Sequence, residues 1–204
     1  MSEAAQLVTE LRQYVADERV LRAIERVPRE AFVPEELREH AYDNTALGIG
    51  CGQTISQPLV VARMTELLEL RAEERVLDVG TGSGYHAAIL AALARHVWSI
   101  ERHADLSRLA AAALERAGVT NVTLIVGDGS RGIPEEAPFD AINVAAAAGR
   151  DALRTLEEQL APGGRLVAPV TGRRQRLAVA RREGDRVSWR ALEEVRFVPL
   201  VRDR

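Results

Sequence analysis

The chain contains no lysine. All 27 of its basic side chains are arginine, which a G- and C-rich coding bias explains; a stabilising network of arginine ion pairs is the alternative. A single cysteine, Cys51, excludes an intrachain disulfide. The longest uninterrupted apolar run, Ala87 to Ala94, is far short of the roughly 20 residues that a membrane helix needs. Acids at Glu3 and Glu10, with no apolar segment between charged flanks, do not read as a secretory signal. These absences together predict a cytoplasmic protein with no membrane partner. The four histidines, His40, His86, His96 and His103, have no metal-ligand spacing with one another or with Cys51, so no metal is expected. A net charge of −3 and a pI near 5.9 supply no positive field for nucleic acid. The nucleophile pattern Gly-x-Ser-x-Gly is also missing.

What remains is ordinary globular material. At 204 residues and 47% hydrophobic the chain suits one domain of common size with a sizeable core, expected to act as a monomer. No repeat or Ser/Gly-rich linker divides it. The reading is of N-terminal helices and a loop over residues 1–58, a βα core over 59–170 and a β extension over 171–204.

The core is organised around Arg75-Val-Leu-Asp-Val-Gly-Thr-Gly-Ser-Gly-Tyr85. Val76, Leu77 and Val79 read as a buried strand, and an apolar helical pattern follows three glycines at alternate positions. A strand turning on glycines into a helix brings bare backbone N–H groups against a ligand. The third glycine of a dinucleotide fingerprint is replaced by Tyr85, which disfavours a nicotinamide or flavin dinucleotide. Three acids fall near successive strand ends: Asp78 before the glycine turn, Glu101 after a strand at Val97–Glu101, and Asp128 between Gly127 and Gly129. An acid at the second such end can accept both ribose hydroxyls of a nucleoside, and the third can meet an adenine edge. The competing structural reading is that each acid is solvated or caps a helix.

Other elements follow in βα alternation. Amphipathic helices are expected within residues 2–26, with further helices over 35–42, 59–70, 87–93, 105–117 and 151–160. Strands are expected at 122–126, 139–144 and 165–170, the last after a break at Ala161-Pro-Gly-Gly164, with a hairpin and an extension through 195–198 closing the chain. This order predicts an α/β fold: a Rossmann-like, doubly wound, mostly parallel sheet with an N-terminal helical extension and a C-terminal antiparallel hairpin. Residues 43–58 are polar, rich in glycine and free of charge between Asn44 and Pro58; they read as an ordered active-site loop without regular structure. The cluster Arg173, Arg174 and Arg176 reads as a solvated strand end.

The D-V-G-T-G-S-G loop resembles the first motif of class I S-adenosylmethionine-dependent methyltransferases. A closer resemblance runs in order along the chain: Val27-Pro-Arg-Glu-Ala-Phe-Val33, Ala41-Tyr-Asp43, Gly52-Gln-Thr-Ile-Ser-Gln-Pro58, the glycine loop, Gly127-Asp-Gly129, Ala137-Pro-Phe-Asp-Ala-Ile142, Pro162-Gly-Gly164 and Val195-Arg-Phe-Val-Pro-Leu200. Together these are similar to the protein-L-isoaspartate O-methyltransferases. The resemblance implies methyl transfer from S-adenosyl-L-methionine, leaving S-adenosyl-L-homocysteine, to the α-carboxylate of isoaspartyl residues in damaged proteins and peptides, whose ester then collapses to a succinimide. It implies cofactor contact by Asp78, Gly80, Thr81, Gly82, Ser83, Gly84, Glu101, Asp128 and Gly129, an active-site hydroxyl at Ser56, and a substrate surface of Thr54, Ile55, Ser56, Gln57, Ala145 and Ala146. For Ser56 a turn or helix cap before Pro58 is the structural alternative. Gly48, Cys51 and residues 143–148 depart from the family pattern and bear on substrate preference. Methylation of a different peptide carboxylate, or cofactor binding without activity, are the other functional readings.

Overall fold

The structure, a computed structural model, describes residues 1–202. Its centre is a seven-stranded sheet in which β3 (Arg75–Val79), β4 (His96–Glu101), β5 (Val122–Val126), β6 (Phe139–Val144) and β7 (Leu160–Val170) are parallel, and β8 (Arg176–Glu183) and β9 (Arg186–Glu194) add an antiparallel hairpin, in the order β5-β4-β3-β6-β7-β8-β9. The chain leaves β3 toward β4 and β5, then crosses back to β6 and β7. That reversal opens a crevice at the carboxyl ends of β3 and β6, where open α/β sheets take their ligands. Residues 76–79 of β3 are buried throughout, because helices cover both faces of a central parallel strand and leave no polar alternation.

Helices α3 (Pro58–Leu68), α4 (Tyr85–Ala91), α5 (Ala104–Arg116) and α6 (Arg150–Glu157) pack on this sheet. The N-terminal helices α1 (Glu3–Leu11) and α2 (Glu18–Arg26) are capped by Ser2 and Asp17. Their Leu7, Leu11, Leu21 and Ile24 join Tyr85, Ile89, Leu106 and Leu114 in one core cluster. The N-terminal extension is thereby seated on the helices behind the glycine loop.

Four local expectations are corrected. Residues 43–58 are not irregular: β1 (Leu47–Gly50) and β2 (Gln53–Ile55) pair antiparallel around a turn at Gly50-Cys51-Gly52, where φ is +93°, +50° and +68°. The alternate glycines that masked a period-two pattern supply its backbone freedom. The segment over 35–42 is a 3₁₀ helix at Glu35–His40. The expected break at residues 161–164 lies inside β7, as a register irregularity opposite Phe139 and Ala141, so α6 ends at Glu157 and the strand begins at Leu160. Residues 195–198 form no strand. The Gln175 side chain pairs with the Phe197 backbone in place of a partner strand, accepting from Phe197 N at 2.6 Å and donating to Phe197 O at 3.1 Å. The freed tail then bridges to Ala147, with Ala147 N donating to Val198 O and Leu200 N to Ala147 O, both 2.8 Å, and this places it beside the crevice.

Candidate active site

At the end of β3 the backbone turns through Gly80 (φ +95°), a conformation costly for a side chain. Gly80 N donates to Ile100 O at 2.9 Å, tying the turn to β4. Gly84 (φ +88°) lies so near α5 that an added Cβ would stand 3.2 Å from the Ala110 Cβ. The crevice in front of this turn is lined by Val79, Gly80, Gly82, Glu101, Gly129 and Ala145, with Leu200 of the tail as its outer wall.

Glu101 is 6% exposed. Its Oε2 accepts from Gly82 N at 2.9 Å and its Oε1 from His103 N at 3.0 Å, so the carboxylate is oriented by the glycine loop itself. Each oxygen keeps a further lone pair for a hydroxyl donor. At Gly129 an added Cβ would stand 2.7 Å from Val79 Cγ1, so only glycine brings the backbone this close to β3. Gly129→Ala is therefore expected to cost about 1–2 kcal/mol of stability through overpacking, read as a lowered urea midpoint at unchanged slope.

Several expected contacts lie elsewhere. Asp78 does not line the crevice: it is fully buried under the loop, accepting from Ser99 Oγ and Asn143 Nδ2, both 2.7 Å. Burial pushes its pKa up to about 6, the two hydrogen bonds pull it back, and the charge of Glu101 raises it further. Thr81 is buried as well, its hydroxyl 2.6 Å from Ser99 Oγ. Ser83 accepts from Tyr85 N at 3.3 Å and borders a separate depression beside Leu106. The Asp128 carboxylate caps its own turn by accepting from Ser130 N at 2.9 Å, which leaves Gly129 facing the crevice. Spacing along a strand finds the strand end but not the face a side chain takes, and inside a sheet covered on both sides the hydrophobic pattern does not supply it.

Beside the crevice runs a groove of about 820 Å³, bordered by Thr54, Ser56, Gln57, Ala145, Val195 and Val198. Thr54, Ala145 and Val198 border both depressions, so the two adjoin there. Ser56 Oγ makes no hydrogen bond among the described residues, and the structure leaves it available to a ligand. Ile55 is 3% exposed within the core and anchors the hairpin instead of meeting a ligand. Gln57 borders the groove, yet its Nε2 donates to Asn44 O at 2.9 Å and braces the loop. Ala146 lines the crevice alone. The 45–57 side of the groove is uncharged, while Glu194 and Arg196 bring charge from the opposite side.

Arg29, to which the sequence reading assigned no role, is fully buried. It donates from Nε to Ala41 O at 2.8 Å and from Nη2 to Ser56 O at 2.7 Å, and its guanidinium lies 4.6 Å from the Tyr85 ring centroid. It fixes the Ser56 backbone to the N-terminal segment and to the start of α4. A lone arginine within Val27-Pro-Arg-Glu carries no periodic signal; its partners are separated from it by 12, 27 and 56 positions.

A glycine-lined crevice at the switch point of a parallel sheet, with one oriented carboxylate at the second strand end, fits a nucleoside sulfonium cofactor. The residues present suit that group: Gly80, Gly82 and Gly129 line the crevice without side chains, and the Glu101 carboxylate beside them is held in place by Gly82 N and His103 N. Fold and site define a class I S-adenosylmethionine-dependent methyltransferase. The family model "Protein-L-isoaspartate(D-aspartate) O-methyltransferase" matches residues 2–204, and the chain belongs to that family. It is 52% identical over 197 residues to a protein-L-isoaspartate O-methyltransferase of Serratia proteamaculans, covering 96% of this chain and 94% of that one. Identity to the protein of the same name from Methanoculleus marisnigri is 51% over 189 residues, covering 92% and 85%. Among solved structures, one named protein-L-isoaspartate O-methyltransferase superposes with a TM-score of 0.88 at 28% identity, covering 96% of this chain and 65% of that one. A Plasmodium falciparum β-aspartate methyltransferase in complex with S-adenosyl-L-homocysteine superposes with a TM-score of 0.85 at 25% identity, over 100% of both chains.

Proposed function

We propose that the protein methylates the α-carboxylate of L-isoaspartyl residues in damaged proteins and peptides, with S-adenosyl-L-methionine as donor. One observation carries this reading: a crevice suited to the cofactor and a groove suited to a peptide meet at Thr54, Ala145 and Val198. Gly80, Gly82, Glu101 and Gly129 would hold the cofactor, which supplies an already activated methyl group. Asp78, Thr81 and Asn143 act beneath the loop as its support.

A carboxylate of pKa about 4 is ionised at neutral pH, so the reaction needs no general base. His86, buried in the network under the loop, is not required as one. The protein's task is to align the substrate oxygen with the methyl group, a contribution of up to about 7–11 kcal/mol in favourable cases. Ser56 Oγ and neighbouring amides hold the carboxylate by neutral hydrogen bonds, which stabilise its charge less than an arginine clamp would and so preserve more of the driving force for transfer. The whole activity is assigned to one domain acting as a monomer in the cytoplasm. The net charge of −3 supports the absence of a nucleic-acid partner, and no helix among the described residues is long and apolar enough to cross a membrane.

The deciding experiment is incorporation of labelled methyl groups into an isoaspartyl peptide and its aspartyl twin. Base-labile label in the first alone supports the proposal. Label in the second alone makes the enzyme a methyltransferase of another carboxylate, and cofactor binding with no label in either makes it a binding protein. Ser56→Ala is expected to lower kcat/KM for the isoaspartyl peptide about tenfold to a hundredfold, the worth of one hydrogen bond to a charged group, with cofactor affinity unchanged. An unaltered kcat/KM would remove Ser56 from the site.

A further inference from the structure

The arginines at 173–176 that read as a solvated strand end do not stand alone. Folding brings Arg174 and Arg176 opposite Arg150 and Arg154 of α6 across a groove of about 510 Å³ on the α6 side of the sheet. Arg150 and Arg154 lie one helical turn apart, where side chains neighbour each other, and neither has an ion-pair partner among the described residues. Arg176 donates to the Leu192 carbonyl, which leaves its charge uncompensated. Arg174 is paired with Glu194 at 3.0 Å. Glu157, the one carboxylate bordering the groove among the described residues, accepts from Trp189 Nε1 at 2.8 Å and holds the indole at the groove's side, 37% exposed. The nearby Asp151 faces Arg202 at 3.9 Å. In a protein of net charge −3 this groove is a local concentration of unbalanced positive charge, over a shallow floor that includes Leu153 and Ala178.

The groove is also next to the peptide site. Glu194 borders the peptide groove and Arg174 the arginine groove, so their ion pair marks the boundary between the two.

We propose that the arginine groove is a secondary docking site for acidic segments of the substrate polypeptide, adjacent to the groove in which its isoaspartyl residue is methylated. This rests on the methyltransferase reading above. Guanidinium groups on a helix and on a strand end match a short run of Glu or Asp carboxylates, and the small floor residues accept the methylene stems. A long nucleic acid is disfavoured, because the remainder of the protein repels a polyanion and only a few guanidinium groups are available to release counterions.

The test compares an isoaspartyl peptide carrying a tetraglutamate tail on a Gly/Ser spacer with its tetraglutamine twin, the tail being placed at either terminus and on spacers of increasing length. The glutamate tail is expected to lower KM about five- to tenfold with kcat unchanged, an advantage that fades as salt is raised. Arg150→Gln combined with Arg154→Gln is expected to abolish the advantage while turning over the untailed peptide like the wild type. Equal KM values for the two tails, or an advantage kept by the double variant, would overturn the proposal. Independently, Trp189 emission is titrated with a tetraglutamate peptide that lacks isoaspartate, with Trp189→Phe as the signal control. Saturable binding lost in the double variant supports the docking site even if no peptide is methylated, which separates its failure from that of the functional reading. Stronger binding of a short oligonucleotide of equal charge would overturn the assignment to acidic polypeptide.

Discussion

Glu101→Ala is expected to weaken binding of S-adenosyl-L-homocysteine about 10²–10⁴-fold and to leave the folded state in place. Glu101 is the acid that borders the crevice near the glycine loop, and both its oxygens are already oriented by backbone donors, Gly82 N and His103 N. A ligand with two neighbouring hydroxyls gains two further charge-assisted bonds, each worth about 1.5–3 kcal/mol, and tenfold in affinity corresponds to about 1.4 kcal/mol. Truncation also releases Gly82, so the loop loses part of its order before any ligand arrives. Glu101→Gln keeps the shape and one acceptor but turns an amide toward one of two N–H donors, and its affinity is expected between those of wild type and alanine. Titration calorimetry gives the affinities, and a thermal melt shows that the variants remain folded. A dissociation constant within threefold of wild type for the alanine variant would show that the ribose is held elsewhere.

The glycine loop and the strands at 122–126 and 139–144 were legible in the sequence, because short stretches rich in β-branched and apolar residues are bounded there by glycine, proline and polar turn residues. Elements whose form depends on distant partners were not. The hairpin over residues 47–55 alternates Leu47 and Ile49 with glycines, and its register appears only when Leu47 is set against Ile55. The tail at 195–198 has strand composition, yet Gln175 occupies its hydrogen-bonding edge. In the site, the Glu101 carboxylate and the Gly80, Gly82 and Gly129 backbone border the crevice. Asp78 and Thr81 do not, since their burial is decided by Ser99 and Asn143 of neighbouring strands. Arg29 illustrates the limit most clearly: a side chain that would be read as solvated is buried by carbonyls of two loops and an aromatic ring.

The buried network beneath the loop carries two opposed pH dependences that are expected to become visible only when one is removed. His86 Nδ1 accepts from Asn143 Nδ2 at 3.2 Å, and its Nε2 lies 3.1 Å from Thr65 Oγ1. The Thr65 hydroxyl donates to Val61 O at 2.8 Å, so the proton between it and His86 belongs to Nε2 and the ring is neutral. Burial lowers the His86 pKa to about 3 from 6.5. Between those values the unfolded chain holds a proton that the folded chain does not, and this contribution to stability is lost as pH falls. For Asp78 the shift is upward, from 3.8 to about 6. Between those values the folded chain holds the extra proton, so this contribution is present at low pH and lost as pH rises through 6. Each amounts to about 1.4 kcal/mol per pH unit, and from pH 6 to about 4 they cancel. His86→Gln keeps an acceptor for Asn143 and a donor for Thr65 while deleting the first contribution. Relative to wild type, its stability is expected to rise by about 3 kcal/mol as pH falls from 6 to about 4. Asp78→Asn deletes the second, and its stability relative to wild type is expected to fall by a similar amount over the same interval. Urea unfolding at pH 4, 5 and 6 measures both. Stability differences that stay constant with pH would mean that the two groups titrate alike in the folded and unfolded chain, and that the glycine loop rests on a support with no opposed protonation demands.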